Sequence, residues 1–292
     1  MIADGFLLVD KPGGWTSHDV VAKVRGLTRI RKVGHAGTLD PMATGLLVLG
    51  LGRATRLLRF VQQFPKEYEA RAMFGVGTDT LDADGRETER IPLPVTAEAL
   101  EQAAAALRGE IDQIPPMTSA IKVEGRKLYE LARRGEIIER PSRRVHVYEL
   151  EVTGVADGDY PLVDFRVTCS AGTYVRTLAD DMARSLGGPA HLVMLRRTRI
   201  GSLHARDAVS LEALTADPVM IEAAIVPPSD GLADLARRTV GEDLAVRIAH
   251  GAVLSAAELP IDGTTAVLDG GGRLLAVYAP DGGAVRPEVV VL

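Results

Sequence analysis

One stretch constrains this chain more than any other: Gly34-His35-Ala36-Gly37-Thr38-Leu39-Asp40-Pro41-Met42-Ala43-Thr44-Gly45, followed at once by Leu46-Leu47-Val48-Leu49. Glycines let a backbone turn tightly or approach a ligand closely. Pro41 has no N–H and pushes Asp40 towards an extended conformation. The pattern predicts a fixed, non-helical loop that feeds a buried strand. A carboxylate held on such a loop is well placed for chemistry. Asp-Pro between glycines is also an ordinary turn signal, and these residues alone leave both readings open.

The 292 residues allow one large domain or two smaller ones, and a 46% hydrophobic content is ample for a core. No apolar run approaches the ~18 residues of a membrane span, and no basic-then-apolar leader opens the chain. Cys169 is the single cysteine, so no intrachain disulfide is expected, and a cytoplasmic protein is the expectation. Cys169 continues the apolar alternation of Val163, Phe165 and Val167, which marks it as a packing residue and not a nucleophile. The six histidines show no close pair at metal-site spacing. Read from Thr80, the acidic loop Thr78–Gly85 fails as a calcium loop, because its first ligand position is not acidic and its closing position falls on Ile91. No metal or other cofactor is expected.

Net charge is −5, which argues mildly against a polyanionic partner. The charge is uneven: Lys122 to Arg144 holds eight basic and four acidic residues. Such an excess can hold phosphates or simply form a solvated helix face.

Phe6–Val9 reads as a buried strand, with Ser17 as the cap of a helix carrying Val20, Val21, Val24 and Leu27. Ala54–Val61 reads as a helix bearing Arg56 and Arg59 on one face. Tyr68, Ala70, Ala72 and Phe74 alternate with polar residues, the period of a half-buried strand. Thr96 caps a helix that ends near Gly109. Residues 145–152 and 163–169 read as strands, and Gly172 turns the chain into a helix near Tyr174 and Arg176. Pro227-Pro228 marks a boundary. Beyond it, Val267-Leu268 and Leu274–Val277 flank the turn Asp269–Gly272 as a hairpin.

The opening stretch resembles the active-site motif of the TruB-type tRNA pseudouridine synthases, G-H-x-G-x-L-D-P-x-A-T-G. Four further stretches resemble that family's motifs in order: Asp10-Lys11-Pro12 with Thr16-Ser17, Lys66-Glu67-Tyr68, Gly172-Thr173-Tyr174-Val175-Arg176, and His191–Arg199. The loop Thr78-Asp79-Thr80-Leu81-Asp82-Ala83-Asp84-Gly85 also fits the family's pattern, as a structural or RNA-side element. The resemblance implies a mixed α/β (α+β) fold with a large, mainly antiparallel sheet flanked by helices. It implies a catalytic domain over residues 1–230, an RNA-binding insertion at about 115–145, and a small β-rich PUA-like RNA-binding domain over 235–292. That tail carries five basic and nine acidic residues from Asp230 onward, which weakens the case for tight phosphate binding there. It is expected to add affinity, not chemistry.

By the same resemblance, Asp40 is the catalytic aspartate and His35 occupies the space left by a flipped base. Tyr68 stacks on the uracil and assists loss of the C5 proton. Tyr174 lines the base pocket, Leu195 sits against the base, and Arg176 pairs with the aspartate. Lys11 reaches either RNA or a structural carboxylate. The implied reaction converts uridine 55 in the T loop of tRNA to pseudouridine, by a monomer bound to the T-arm stem-loop, without cofactor or membrane. A base inside a loop must first be extruded, at a cost of a few kcal/mol, which aromatic stacking of about 1–3 kcal/mol per base offsets. Asp40 then attacks C1′ or assists loss of the 2′ proton. A catalytically inactive tRNA-binding chaperone of the same fold is the alternative. A two-carboxylate hydrolase lacks a second acid in a matching motif.

Overall fold

The computed structural model describes residues 4–116, 122–123, 126–127 and 140–291. The chain divides into two compact units, one of Met1–Pro41, Gly45–Phe64 and Arg199–Leu292, the other of Met42–Thr44 and Pro65–Thr198. The architecture is the expected mixed α/β one, with mainly antiparallel sheets, helices against them and a small β-rich C-terminal part.

The first unit starts with β1 (Gly5–Lys11), α1 (Ser17–Thr28), β2 (Val33–His35) and β3 (Thr44–Leu51, whose first residue belongs to the second unit). β1 runs antiparallel to β3 from Gly5 opposite Leu51 to Lys11 opposite Gly45, and β2 pairs with β3 from Val33 to His35. Successive strand residues face opposite sides. Leu7 and Val9 therefore pack with Val20, Val21 and Val24 of α1, while Phe6 and Leu8 enter a second core. A strand covered on both sides needs a continuous apolar run, as in Phe6–Val9.

Two local expectations change. The cap of α1 is Thr16, not Ser17: Thr16 Oγ1 accepts from Asp19 N at 3.1 Å and Asp19 Oδ2 accepts from Thr16 N at 3.0 Å. This reciprocal pair satisfies two helix-end donors and leaves the Ser17 hydroxyl for another partner. The helix expected over Ala54–Val61 is a tighter 3₁₀ turn, Gly52–Leu57, that passes into one α-helical turn, Leu58–Val61. Thr55 Oγ1 donates to Gly52 O at 2.7 Å and holds the tighter winding.

The second unit contains β4 (Lys66–Phe74), β5 (Gly109–Gln113), β6 (Arg143–Ala156), β7 (Leu162–Cys169), α2 (Val175–Ser185) and β8 (Ala190–Ile200, whose last two residues belong to the first unit). The strand order is β8-β4-β7-β6-β5, and Tyr68 stands opposite Val167. Alternate residues of β4 are buried from Lys66 to Phe74, as their period requires. A helix over Ala97–Ala106, capped by Thr96 as expected, packs on both β6 and α2. Cys169 is 1% exposed and burial pushes its thiol up to about 11, which fits a packing role. Most of the expected insertion at about 115–145, including Arg133 and Arg134, lies outside the described residues; Lys122–Val123 pairs antiparallel with Arg126–Lys127.

The chain then returns to the first unit. Short strands Val209–Ser210 and Ile225–Val226 both pair with β1. The tail forms β9 (Ala236–Thr239), α3 (Glu242–Ala249), β10 (Leu254–Ser255), β11 (Thr265–Leu268), β12 (Leu274–Asp281) and β13 (Ala284–Val290), in the sheet order β9-β11-β12-β13-β10. The hairpin at Asp269–Gly272 is present, with Asp269 Oδ1 accepting from Gly271 N and Arg273 N. One face of this sheet has its own core with α3, formed by Ile248, Val267, Leu275 and Tyr278 among others. The other face does not close on itself. Leu268, Leu274, Val277 and Val289 share a cluster with Phe6, Leu8, Leu46 and Val48.

Candidate active site

The residues singled out for chemistry fall in two groups, one in each unit. Asp40, His35 and Lys11 lie in the first unit; Tyr68, Tyr174, Arg176 and Leu195 lie in the second.

Asp40 sits half-buried in a loop with no helix or strand over residues 36–43. Gly37 and Gly45 bracket it with φ of 114° and 97°, values that suit glycine and strain any side-chain-bearing residue. Two side chains fix the backbone on either side of the carboxylate. Ser17 Oγ accepts from Leu39 N at 2.8 Å and lies 3.3 Å from Leu39 O, to which it donates. Lys11, with no exposed surface, donates from Nζ to Trp15 O at 2.7 Å, Pro12 O at 2.9 Å and Pro41 O at 3.2 Å. Gly14 N also donates to Pro41 O, at 2.9 Å. Leu39 and Ala43, 3% and 0% exposed, anchor the loop in the core. On the Pro41 side one of the two bonds comes from a charged amine, and a hydrogen bond to a charged group is worth about 1.5–3 kcal/mol.

Lys11 meets three backbone carbonyl acceptors, a role that stands beside its two sequence alternatives, RNA or a structural carboxylate. His35 ends β2, half-buried, with its ring edge-on to His18 at 5.3 Å and 81°. Its main-chain carbonyl accepts from Gln62 Nε2 at 3.3 Å.

In the second unit, Tyr68 is 8% exposed on β4 and Leu195 is 5% exposed on β8, the strand beside it. Tyr174 is the residue before α2, and its backbone is gripped by Gln113: Tyr174 N donates to Gln113 Oε1 at 2.7 Å and Gln113 Nε2 donates to Tyr174 O at 3.0 Å. Gln113 is 1% exposed, so both bonds are shielded from water.

Arg176 is buried and its Nη1 donates to Asp82 Oδ2 and Thr80 O, both at 2.8 Å. Asp82 is itself buried, and its other carboxylate oxygen accepts from Thr80 Oγ1 and Asp84 N. Leu81, in the left-handed region at φ 61°, accepts at its carbonyl from Leu192 N, tying this loop to β8. The acidic loop Thr78–Gly85 is therefore a rigid holder for Arg176. Lys66, two residues before Tyr68 and on the same face, is buried; desolvation, then the nearby Arg197 charge, lowers its pKa to about 8.

Sequence reasoning missed Gln113 and the pairing of Asp82. Asp82 was visible only as part of a loop pattern. Gln113 meets Tyr174 from 61 residues away, and nothing local announces such a pairing. Ser17 was read as a cap because serine before a helical run usually is one.

Three family models match the chain. One for the N-terminal domain of the TruB family of pseudouridylate synthases covers residues 25–175, one for the C-terminal domain of tRNA pseudouridylate synthase B covers 176–229, and one for the C terminus of tRNA pseudouridine synthase II covers 235–292. The chain is 45% identical over 298 residues to a tRNA pseudouridine synthase B of Thermobifida fusca, with 99% of each covered. It is 43% identical over 296 residues to one of Ralstonia nicotianae, covering 98% of this chain and 94% of that protein. Among solved structures it resembles a chain of a Cbf5-Nop10-Gar1 complex, at a TM-score of 0.76 and 26% identity over 99% of this chain and 85% of that one. A structure of an H/ACA RNP bound to a substrate RNA containing 2′-deoxyuridine matches at a TM-score of 0.75 and 26% identity, with the same coverage. With two of its loops fixed by buried side chains, and its whole length matched, the chain belongs to the TruB family of pseudouridylate synthases.

Proposed function

We propose that this chain isomerises uridine 55 in the T loop of tRNA to pseudouridine, with Asp40 as the essential group. The relatives named tRNA pseudouridine synthase B support the substrate. The observation that carries the mechanism is the backbone clamp on both sides of Asp40, by Ser17 on Leu39 and by Lys11 on Pro41. A carboxylate fixed before substrate arrives needs little reorganisation in the transition state.

The uridine is extruded and its base captured against the rings of Tyr68 and Tyr174 and the apolar edge of Leu195, while His35 fills the gap in the loop. Asp40, ionised at neutral pH, faces the positive character that develops at C1′ as the glycosidic bond breaks. It acts there as nucleophile or as the charge that assists loss of the 2′ proton. Arg176, held by Asp82, supplies a fixed positive charge for Asp40 and keeps it ionised. The detached uracil turns, C5 joins C1′, and the C5 proton leaves with help from the Tyr68 hydroxyl. Lys11 contributes through the loop backbone. The tail acts as a PUA-like RNA-binding part, and the enzyme works as a cytoplasmic monomer without metal or cofactor.

Asp40→Asn keeps the side-chain shape and removes the charge. Single-turnover pseudouridine formation, followed by tritium release from C5-labelled tRNA, is expected to fall roughly a thousandfold or more, with tRNA affinity unchanged or tighter. Near-normal turnover in the folded variant refutes the assignment. Wild-type binding without any tritium release favours the inactive chaperone.

A further inference from the structure

Beside the Asp40 loop, the first unit carries an open groove of about 510 Å³ lined by Arg25, Arg31, Lys32, Arg59, Thr55 and Gln62, among others. Its cations come from a concentrated source. Residues 20–39 contain Lys23, Arg25, Arg29, Arg31 and Lys32 and no Asp or Glu, in a chain whose net charge is −5. The fold brings three of them to the groove: α1 is capped by Arg29, whose left-handed turn (φ 59°) sends the chain back into β2, and Arg25, Arg31 and Lys32 line the groove. Arg25 Nη2 donates to Val33 O at 2.6 Å and is aimed across this turn. Arg59, on the other wall, is paired with Glu288 at 2.8 Å. Arg31 and Lys32 are exposed, and among the described residues neither has a carboxylate within ion-pair distance.

We infer that this groove is a seat for the phosphodiester backbone of RNA, separate from the pocket for the reacting base and held chiefly by Arg31 and Lys32. The inference rests on the RNA-modifying reading above. Closely spaced, unneutralised cations repel one another and are favoured where an anion is shared among them. The groove is open along its length, which suits a chain of phosphates; a small nucleotide would call for an enclosed, largely apolar pocket. Among the described residues that line it, His35 is the single aromatic one, so it offers no platform for stacking successive bases.

The test uses the full chain and an unmodified tRNA transcript. Binding is measured by filter retention at several KCl concentrations for wild type and for the double substitution R31Q/K32Q. The slope of log K against log salt becomes shallower by about 0.7–0.9 for every phosphate no longer neutralised. The double variant is expected to bind about tenfold more weakly at 50 mM KCl with a slope shallower by about 1.5. Its single-turnover rate at saturating enzyme should stay within about twofold of wild type, a split that a general loss of fold would not give. Unchanged affinity and slope would overturn the inference. Wild-type turnover with unaffected variants sinks the groove alone; a wild type that binds tRNA but makes no pseudouridine sinks the catalytic reading, while the slopes still judge the groove.

Discussion

Ser17 and Leu39 bind each other head to tail across 22 residues: the serine hydroxyl accepts from the leucine N–H at 2.8 Å and donates to its carbonyl at 3.3 Å. The pair is buried and sits one residue before Asp40, so a side chain at the first turn of a helix sets where a carboxylate points. Ser17→Ala leaves Leu39 N–H without this acceptor and lets the loop drift. Misplacement of a reacting group by about an ångström costs on the order of a hundredfold. Single-turnover rate should fall by about 10- to 100-fold with tRNA affinity within about twofold, as measured by tritium release and filter binding. Ser17→Thr, which keeps the hydroxyl, should recover much of the rate.

Asp82 and Arg176 form a buried ion pair whose disruption should be felt across the second unit. Asp82→Ala strands a buried guanidinium, a loss of about 3–5 kcal/mol. The thermal midpoint is expected to drop by roughly 10 °C. Asp82→Asn keeps one acceptor for Arg176 and should recover part of this. A midpoint unchanged by Asp82→Ala, read by circular dichroism, would mean the pair holds nothing together.

Asp181, on α2, supplies a pH signature. Burial, with the neighbouring charge of Asp180, raises its pKa from an ordinary 3.8 to about 6. Between these values the folded chain retains a proton that the unfolded chain has released. Stability from this group therefore falls as pH rises from about 4 to 6, and the full cost applies above about 6. Allowing for its partial exposure, the cost is about 1 kcal/mol. Asp181→Asn should raise the thermal midpoint by a few degrees at about pH 7.5 and not at about pH 4. Equal shifts at both pH values would exclude a charge effect.

The tail was expected to add affinity as a separable part. Its shared core gives a different outcome for truncation after Asp234. Removing Leu268, Leu274, Val277 and Val289 uncovers Phe6, Leu8 and Val48. Each large apolar side chain returned to water costs about 1.5–3 kcal/mol. The truncated chain should be unfolded or aggregated by size-exclusion chromatography, not a folded enzyme with a raised KM. A monomeric, cooperative truncation would show the two parts to be independent.

Much of the fold was legible because its signals are local. The Phe6–Val9 run, the alternation from Tyr68 to Phe74 and the Asp269–Gly272 turn each carry their own period or turn chemistry, and each became the expected element. The Asp40 loop was legible as a rigid turn from Gly37, Pro41 and Gly45. What holds it was not. Ser17 and Lys11 act on backbone atoms 22 and 30 residues away, as Gln113 does on Tyr174 from 61 away, and a hydroxyl, an amine or an amide reads the same in sequence whether it meets water or a distant carbonyl. The 3₁₀ start at Gly52 was missed for a similar reason, since apolar spacing over so short a segment does not distinguish two windings so close in pitch.

The union of Phe6 with Val277 in one cluster also has a consequence in time. During synthesis the first strand emerges long before the sheet that covers one of its faces. At about 5–20 residues per second, roughly 15–50 s pass before Val277 is made. For that interval Phe6 and Leu8 lack their permanent cover, and closure must wait until the two ends of the chain can meet. A nascent chain stalled before residue 265 should therefore be a stronger ligand for holding chaperones than the released protein, with its N-terminal strand as the exposed bait.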